Sequence, residues 1–170
     1  MRLLNTRRGS VILEFTLVGI PCLFALVSIF EISRGMWVYH TLSEAVDVGA
    51  RYASLHGQGC SSAGYHCGIA VQDVAAKIAA AANGVPATVF SVTLTSAASG
   101  AVVCSPLSSC LANASAWPPS VSNENAPGKE IVVSAQYTFR SALAMFIPGT
   151  SPVNFAITHF SAASRQVIQF

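Results

Sequence analysis

The chain has 170 residues, of which 52% are hydrophobic and 9% are charged. This balance is unusual for a soluble protein, and the length suffices for one membrane helix and one small domain. The formal net charge is only +2, and the basic residues beyond the amino terminus lie far apart, without aromatic clusters beside them. We therefore expect no nucleic-acid partner.

The first segment of the chain is basic and then apolar. Arg2, Arg7 and Arg8 precede an apolar run from Val11 to Phe30, which at about 1.5 Å per residue spans about 30 Å, the thickness of the bilayer hydrocarbon. Basic residues before a first membrane helix keep that side in the cytoplasm, so we expect the rest of the chain to be exported. A cleaved secretory signal begins similarly, but its apolar core is shorter and ends at a small-x-small site.

One carboxylate, Glu14, lies inside this apolar run. An unpaired carboxylate at the centre of a membrane helix costs roughly 2.5–3.5 kcal/mol on insertion scales, and less near the end of the helix. The small peptide unit Gly9–Ser10 lies one helical turn earlier, and cleavage there would leave a charged amine on Ser10. This amine is a candidate partner for Glu14 of the same helix or of a neighbouring one. The alternative is a tolerated charge at the end of a helix.

The helix is predicted to continue from Ser10 to about Leu55, because apolar residues recur at steps of three and four beyond the membrane run. Its length of about 69 Å is more than twice the hydrocarbon thickness. Trp37, Tyr39 and His40 lie where interfacial aromatic anchors are found. The apolar stripe of the projecting half must be covered by the chain's own domain or by neighbouring subunits. Its members are Val38, Leu42, Ala45, Val46, Gly49 and Ala53.

The remaining sequence predicts a second helix and a small sheet. Residues 69–82 are rich in alanine and end at the helix stop Asn83-Gly84, which favours a short helix. Alternating apolar residues predict strands at 88–95, 130–139 and 153–160. Residues 101–104 are a candidate edge strand. We therefore expect an α+β fold with a small antiparallel sheet, and loops at 56–68 and 105–128.

The predicted organisation is a leader, a helix and a head domain. The cytoplasmic leader covers residues 1–9, the membrane-spanning and projecting helix 10–55, and the periplasmic head 56–170. No nucleophile motif or catalytic triad is recognisable in the head. We therefore expect neither an enzyme nor a cofactor.

Four cysteines follow the helix in two close pairs. They are Cys60, Cys67, Cys104 and Cys110. Four cysteines allow three connectivities, of which local pairing within each loop is the simplest, and disulfides indicate an oxidising compartment such as a bacterial periplasm. His56 and His66, together with the first cysteine pair, would supply four zinc donors, but their spacing matches no familiar zinc module. We therefore expect no metal.

The amino-terminal motif resembles the processing site of type IV pilin-like proteins, in which glutamate and an aromatic residue follow a glycine at a fixed distance. A longer series of motifs is similar to the TadE-like pseudopilins of the tight-adherence (Flp, type IVc) pilus system. The matching residues are Arg7-Arg8-Gly9-Ser10, Glu14-Phe15, Phe30-Glu31-Ile32-Ser33-Arg34, Ala45-Val46-Asp47-Val48-Gly49-Ala50-Arg51-Tyr52-Ala53, Gln136-Tyr137-Thr138-Phe139-Arg140 and Ile147-Pro148-Gly149. TadF-like proteins share much of this pattern, so the subfamily stays open.

The resemblance implies a pilin-like fold and a minor, pilin-like subunit of the bacterial inner membrane. It implies that a prepilin peptidase cuts between Gly9 and Ser10, and that Glu14 and Phe15 contact other pilin-like subunits or the inner-membrane assembly machinery. Such a subunit takes part in building or anchoring an adhesive pilus. The alternative is an unprocessed, single-pass exported domain that serves as an adhesin or a sensor.

Overall fold

The computed structural model describes residues 7–60, 67–97, 100–142 and 157–170, of which residues 7–10 and 157 are described by their backbone alone. Within these ranges, two α-helices and four strands follow one another along the chain. They are α1 (Arg7–Ser54), α2 (Val71–Ala81), β1 (Phe90–Ser96), β2 (Ala101–Cys104), β3 (Glu130–Arg140) and β4 (Ile157–Val167). The predicted α+β arrangement is therefore confirmed. The leader residues 1–6, His66 and the Ile147-Pro148-Gly149 motif lie outside the described residues.

The four strands form one antiparallel sheet in the order β2-β1-β3-β4. The side chains of β1 and β3 alternate as the sequence predicts, because successive residues of a strand point to opposite faces. On one face the apolar side chains are buried: Phe90, Val92, Leu94, Ile131, Val133 and Ala135. The opposite face carries mostly hydroxyl and amide side chains.

The second half of α1 packs against this sheet and against α2. The predicted apolar stripe is covered by the chain's own head, because its members reach into the same core as the sheet. Leu42, Ala45 and Ala53 have no exposed surface at all. Burial of this stripe removes apolar surface from water and stabilises the joined helix and head.

The start of α2 packs against the loop 105–128, which the sequence predicts only as a polar connection. Its first amide groups are satisfied by Asp73, whose Oδ2 accepts from the Ala70 amide at 2.8 Å, and by carbonyls of residues 113 and 115 at 2.9 Å. Free amides at the start of a helix need such partners. The same loop contributes Leu107 and Trp117, both almost fully buried, to the core. The stretch 105–128 is thus a packed part of the head.

The prediction for the last strand was wrong in its extent. It was placed at 153–160, whereas β4 runs from Ile157 to Val167; residues 153–156 lie outside the described part of the chain. After Phe160 the sequence turns to small and polar residues without large alternating side chains, so periodicity gave no signal. Pairing with β3, from Arg140 opposite Ile157 to Glu130 opposite Val167, makes this segment a strand. The bounds of α1 differ slightly from the prediction, because the helix begins at Arg7, before Ser10, and ends at Ser54. The helix is continuous through Pro21.

Candidate assembly interface on the amino-terminal helix

The first half of α1 is not covered by the described parts of the head. From Val11 to Phe30 its side chains are exposed or half-exposed, and the large apolar ones are among the most exposed in the described chain. Phe15, for example, retains 76% of its accessible surface. Within residues 11–54, α1 is long and apolar enough to cross a membrane. This exposed half, Val11–Phe30, is called the stem below.

The candidate processing and assembly residues all lie at the start of the stem. The backbone is helical from Arg7, so Gly9 and Ser10 belong to the first turns of α1. Ser10 and Glu14 are four residues apart and therefore lie on one side of the helix, one turn from each other. Glu14 and Phe15 are exposed. The head therefore leaves these two side chains accessible.

The stem ends at a polar junction with the head, centred on Glu31. This carboxylate is only 7% exposed. Its Oε2 accepts from Arg34 Nη2 at 2.8 Å and from the Ala142 amide at 3.1 Å. Arg34 also donates to the Arg140 carbonyl at 2.7 Å, and its guanidinium lies 4.4 Å from the centre of the Phe139 ring. We call Glu31 and Arg34, with the backbone of residues 140 and 142, the collar.

The collar joins α1 to the end of β3 at the point where the apolar run stops. The ion pair follows from local spacing, because Arg34 lies one helical turn after Glu31. The sequence does not predict the other two partners, the Arg140 carbonyl and the Ala142 amide, because they are more than 100 residues away along the chain. A charged hydrogen bond of this kind contributes about 1.5–3 kcal/mol where it is shielded from water. The half-exposed Arg34 side chain reduces that figure by solvent screening.

A second polar contact lies further along α1, at Asp47. Its Oδ1 accepts from Ser164 Oγ at 3.0 Å and from Gln166 Nε2 at 3.3 Å, both on β4. Its Oδ2 pairs with Arg51 Nε at 2.8 Å. The Arg51 side chain is 70% exposed, so this arginine is a surface charge. Asp47 therefore fixes the side of α1 that faces β4.

Two further residues of the Gly-Ala-Arg-Tyr-Ala run pack against α2. A Cβ built on Gly49 would overlap the side chain of Ile78, so the glycine allows α1 and α2 to approach closely. The half-buried Tyr52 ring lies between His56, at 4.3 Å between ring centres, and Lys77, whose Nζ is 5.3 Å away. Burial, with the Asp73 carboxylate nearby, raises the pKa of Tyr52. These contacts give the motif a structural role in joining two helices.

The cysteines lie in the two local pairs that the simplest connectivity predicts. Cys60 and Cys67 lie at disulfide distance, as do Cys104 and Cys110, with 5.5 Å between the Cα atoms in each case. The second pair ties the end of β2 to the turn at 107–110. Cys22 is a free, exposed thiol on the stem. Within the described ranges, no group of three or more His, Cys, Asp or Glu residues is arranged to hold a metal ion.

These features define the class of the protein: an α+β head carried by one apolar amino-terminal helix that fits a single-pass membrane anchor. Residues 9–51 match the family model described as TadE-like protein. The match extends from the candidate cleavage site to Arg51, so it includes the stem, the collar pair and Gly49, and it confirms the resemblance along α1. TadE-like proteins are associated with the Tad pilus. Searches of curated proteins and of solved structures found no match.

Proposed function

We propose that this chain is a minor, pilin-like subunit that takes part in the assembly or anchoring of a Tad pilus. In this proposal the stem is inserted in the bacterial inner membrane with residues 1–9 in the cytoplasm. A prepilin peptidase cuts between Gly9 and Ser10, and the head, residues 56–170, lies in the periplasm. Glu14 and Phe15 then contact neighbouring pilin-like subunits or the inner-membrane assembly machinery.

The observation that carries this proposal is the unequal covering of α1. The described part of the head buries the apolar stripe beyond Glu31 and leaves the stem exposed or half-exposed from Val11 to Phe30. A bare apolar helix of this length is stable only in lipid or against other apolar helices. The family match over residues 9–51 supports pilin-like neighbours as such partners.

Glu14 is the residue best suited to select those neighbours. It is a carboxylate in an otherwise apolar stem, and it lies one turn after the peptide bond that processing would cut. A carboxylate in a membrane segment is stabilised by pairing with a cation. The amine created on Ser10 of an adjacent subunit is a cation at matching depth. A pair of this kind would fix the register of two neighbouring helices.

The collar supports the proposal because it joins the head to the stem through the Glu31 and Arg34 contacts with residues 140 and 142. A contact made by the stem therefore also sets the position of the head. A subunit that enters an assembly through its helix needs such a connection, whereas a sensor or adhesin with a flexible tether does not.

Mass spectrometry of the membrane-extracted protein tests the processing step. We expect a chain that begins at Ser10 and lacks the first nine residues. A Gly9→Val variant, which places a branched side chain beside the bond, should remain intact. An intact wild-type chain, or cleavage after Phe30, would contradict the proposal and favour an unprocessed exported domain or a secreted one.

Assembly is tested by Glu14→Gln in the native host, with Glu44→Gln as the control. Both variants remove one exposed carboxylate from α1, but Glu44 lies beyond the collar, outside the apolar run. We expect the Glu14→Gln protein to reach the membrane and to be cut, while pilus formation is lost. The Glu44→Gln strain should form pili normally. Normal piliation with Glu14→Gln would refute the role of this carboxylate.

A further inference from the structure

An open apolar groove lies directly above the stem, between α1 and the ends of β3 and β4. Its volume is about 540 Å³. One wall is formed by α1 and the other by two aromatic rings. The principal lining residues are Ile32, Gly35, Met36, Tyr39, Phe139 and Phe160.

The groove is apolar and remains uncovered by the described parts of the chain. Ile32 is 66% exposed, Met36 55% and Tyr39 42%. Gly35 belongs to the wall formed by α1, and the Phe160 ring lies 3.4 Å from the position that a Cβ on Gly35 would take. Among the described lining residues the charged one is Glu31, and the collar pairs it with Arg34. The described lining therefore offers a ligand apolar contact but no unpaired charge.

The height of the groove places its lower half at the membrane surface. Counted from Val11, about 30 Å of hydrocarbon corresponds to about twenty helical residues and ends at Phe30. Counted from Glu14, the same thickness ends near Arg34. The headgroup region adds about 5–7 Å, or roughly four more residues. With Glu14 at the cytoplasmic edge of the hydrocarbon, Ile32 lies inside its periplasmic edge and Met36 lies in the headgroup region.

The apolar surface is continuous from the stem into the groove. Ile29 and Phe30 are exposed at the end of the stem, and Ile32 and Met36 follow within two turns. Along this stretch the charged residues, Glu31 and Arg34, are engaged with each other and with the backbone of β3. The exposed apolar side chains of the stem therefore continue into the groove.

We infer that the groove is a lipid-binding surface, filled by acyl chains of the periplasmic leaflet, which seats the head directly on the membrane. The inference rests on insertion of the stem, as in the proposed function, but adds a second membrane contact made by the head itself. The collar holds β3 and β4 at this level, so the head does not stand off the bilayer. The orientation of the head relative to the membrane is then fixed before any other subunit binds.

Quenching of tryptophan by lipids that carry bromine on their acyl chains tests this inference. The background is the full chain with Trp37→Phe, in which the remaining indole is Trp117, only 2% exposed inside the head. Met36→Trp adds one indole to the groove, where the exposed position accepts a larger ring. In vesicles of phosphatidylethanolamine and phosphatidylglycerol, we expect the added indole to lose most of its emission when the lipids are brominated. The background protein should lose little.

Two controls separate this inference from membrane insertion itself. Leu23→Trp places an indole in the stem, 63% exposed, and should be quenched by brominated lipid if the stem spans the bilayer. Val121→Trp places one on the head at a position that is 69% exposed; it should respond to acrylamide in water and not to bromine. Failure of Leu23→Trp to be quenched would refute the membrane anchor, and the inference with it.

The groove indole itself has three outcomes. Quenching by brominated lipid supports the inference. Quenching by acrylamide instead shows a groove open to water, and resistance to both quenchers shows a groove covered by protein, such as a second copy; either result overturns it. If the Trp117 emission shows that Met36→Trp is misfolded, Ile32→Trp, at another exposed position of the same groove, repeats the measurement.

Discussion

Replacement of Gly49 by alanine adds one methyl group that has two opposite effects on the stability of the head. In a helix interior, alanine is favoured over glycine by about 0.8–1 kcal/mol. At Gly49, however, the new Cβ would overlap the Ile78 side chain, which is fully buried, and it would also touch Val74. Because α2 is held at its start by backbone hydrogen bonds to residues 113 and 115, it is not free to move aside.

The overlap is expected to outweigh the gain in helix propensity. Inserting a methyl group into a well-packed core costs about 1–3 kcal/mol, through displaced side chains and shifted backbone. After the propensity gain is subtracted, Gly49→Ala should lower the free energy of unfolding of the head by up to about 2 kcal/mol. Gly35→Ala is the matched control on the same helix, because its Cβ would lie 3.4 Å or more from its nearest neighbours. It should be neutral, or stabilising by less than about 1 kcal/mol.

The measurement is chemical denaturation of the full chain in detergent, followed through Trp117, whose 2% exposure makes its emission sensitive to opening of the head. The midpoint should fall for Gly49→Ala and stay constant or rise for Gly35→Ala. Equal or higher stability of Gly49→Ala would show that the two helices are not closely packed at this point. Loss of stability in both variants would show that backbone flexibility, and not contact with Ile78, is what α1 needs.

Three further predictions use the same assay. Glu31→Gln should lower the stability by about 1–3 kcal/mol, since the collar loses its ion pair, whereas Glu44→Gln should change it by less than about 0.5 kcal/mol; equal effects would refute the collar. Ile168→Ala should cost about 2–5 kcal/mol, because this side chain is 1% exposed and its removal leaves a cavity; a neutral result would mean that the carboxyl-terminal segment is not docked. Joint replacement of Cys104 and Cys110 by serine should cost about 2 kcal/mol in the loop-entropy model, and an unchanged midpoint would show that the pair is not bonded.

The sequence predicts the elements of this fold where periodicity is strong. The stripe from Val38 to Ala53 on α1 and the alternation in β3 both depend on local spacing, and both are confirmed. The second half of β4 was missed because Ala162, Ser164 and Gln166 have no apolar alternation of their own. They face α1 and complete the sheet through pairing with β3, which is information carried by the partner strand.

The contacts of the candidate site also fall into two groups, those that local spacing predicts and those that depend on the fold of the sheet. The ion pair between Glu31 and Arg34 could be predicted, because its partners are one turn apart. The collar could not, because Ala142 and Arg140 reach the helix only through the fold of the sheet. The contacts of Asp47 with β4 were missed for the same reason. The role of Glu14 is predicted from the apolar sequence around it, and the head leaves that residue exposed.

In the proposed function, stability and assembly depend on different halves of α1, which meet at the collar. The half after Glu31 contributes Leu42, Ala45 and Val46 to the core, so changes there alter the folding of the head. The half before it makes no contribution to that core, so Glu14→Gln should leave the denaturation midpoint unchanged even where it abolishes pilus formation. In turn, Gly49→Ala should lower the midpoint without preventing cleavage at Gly9. A chain in which Glu14→Gln destabilised the head would contradict this separation, and with it the proposal that the stem is reserved for contacts outside the molecule.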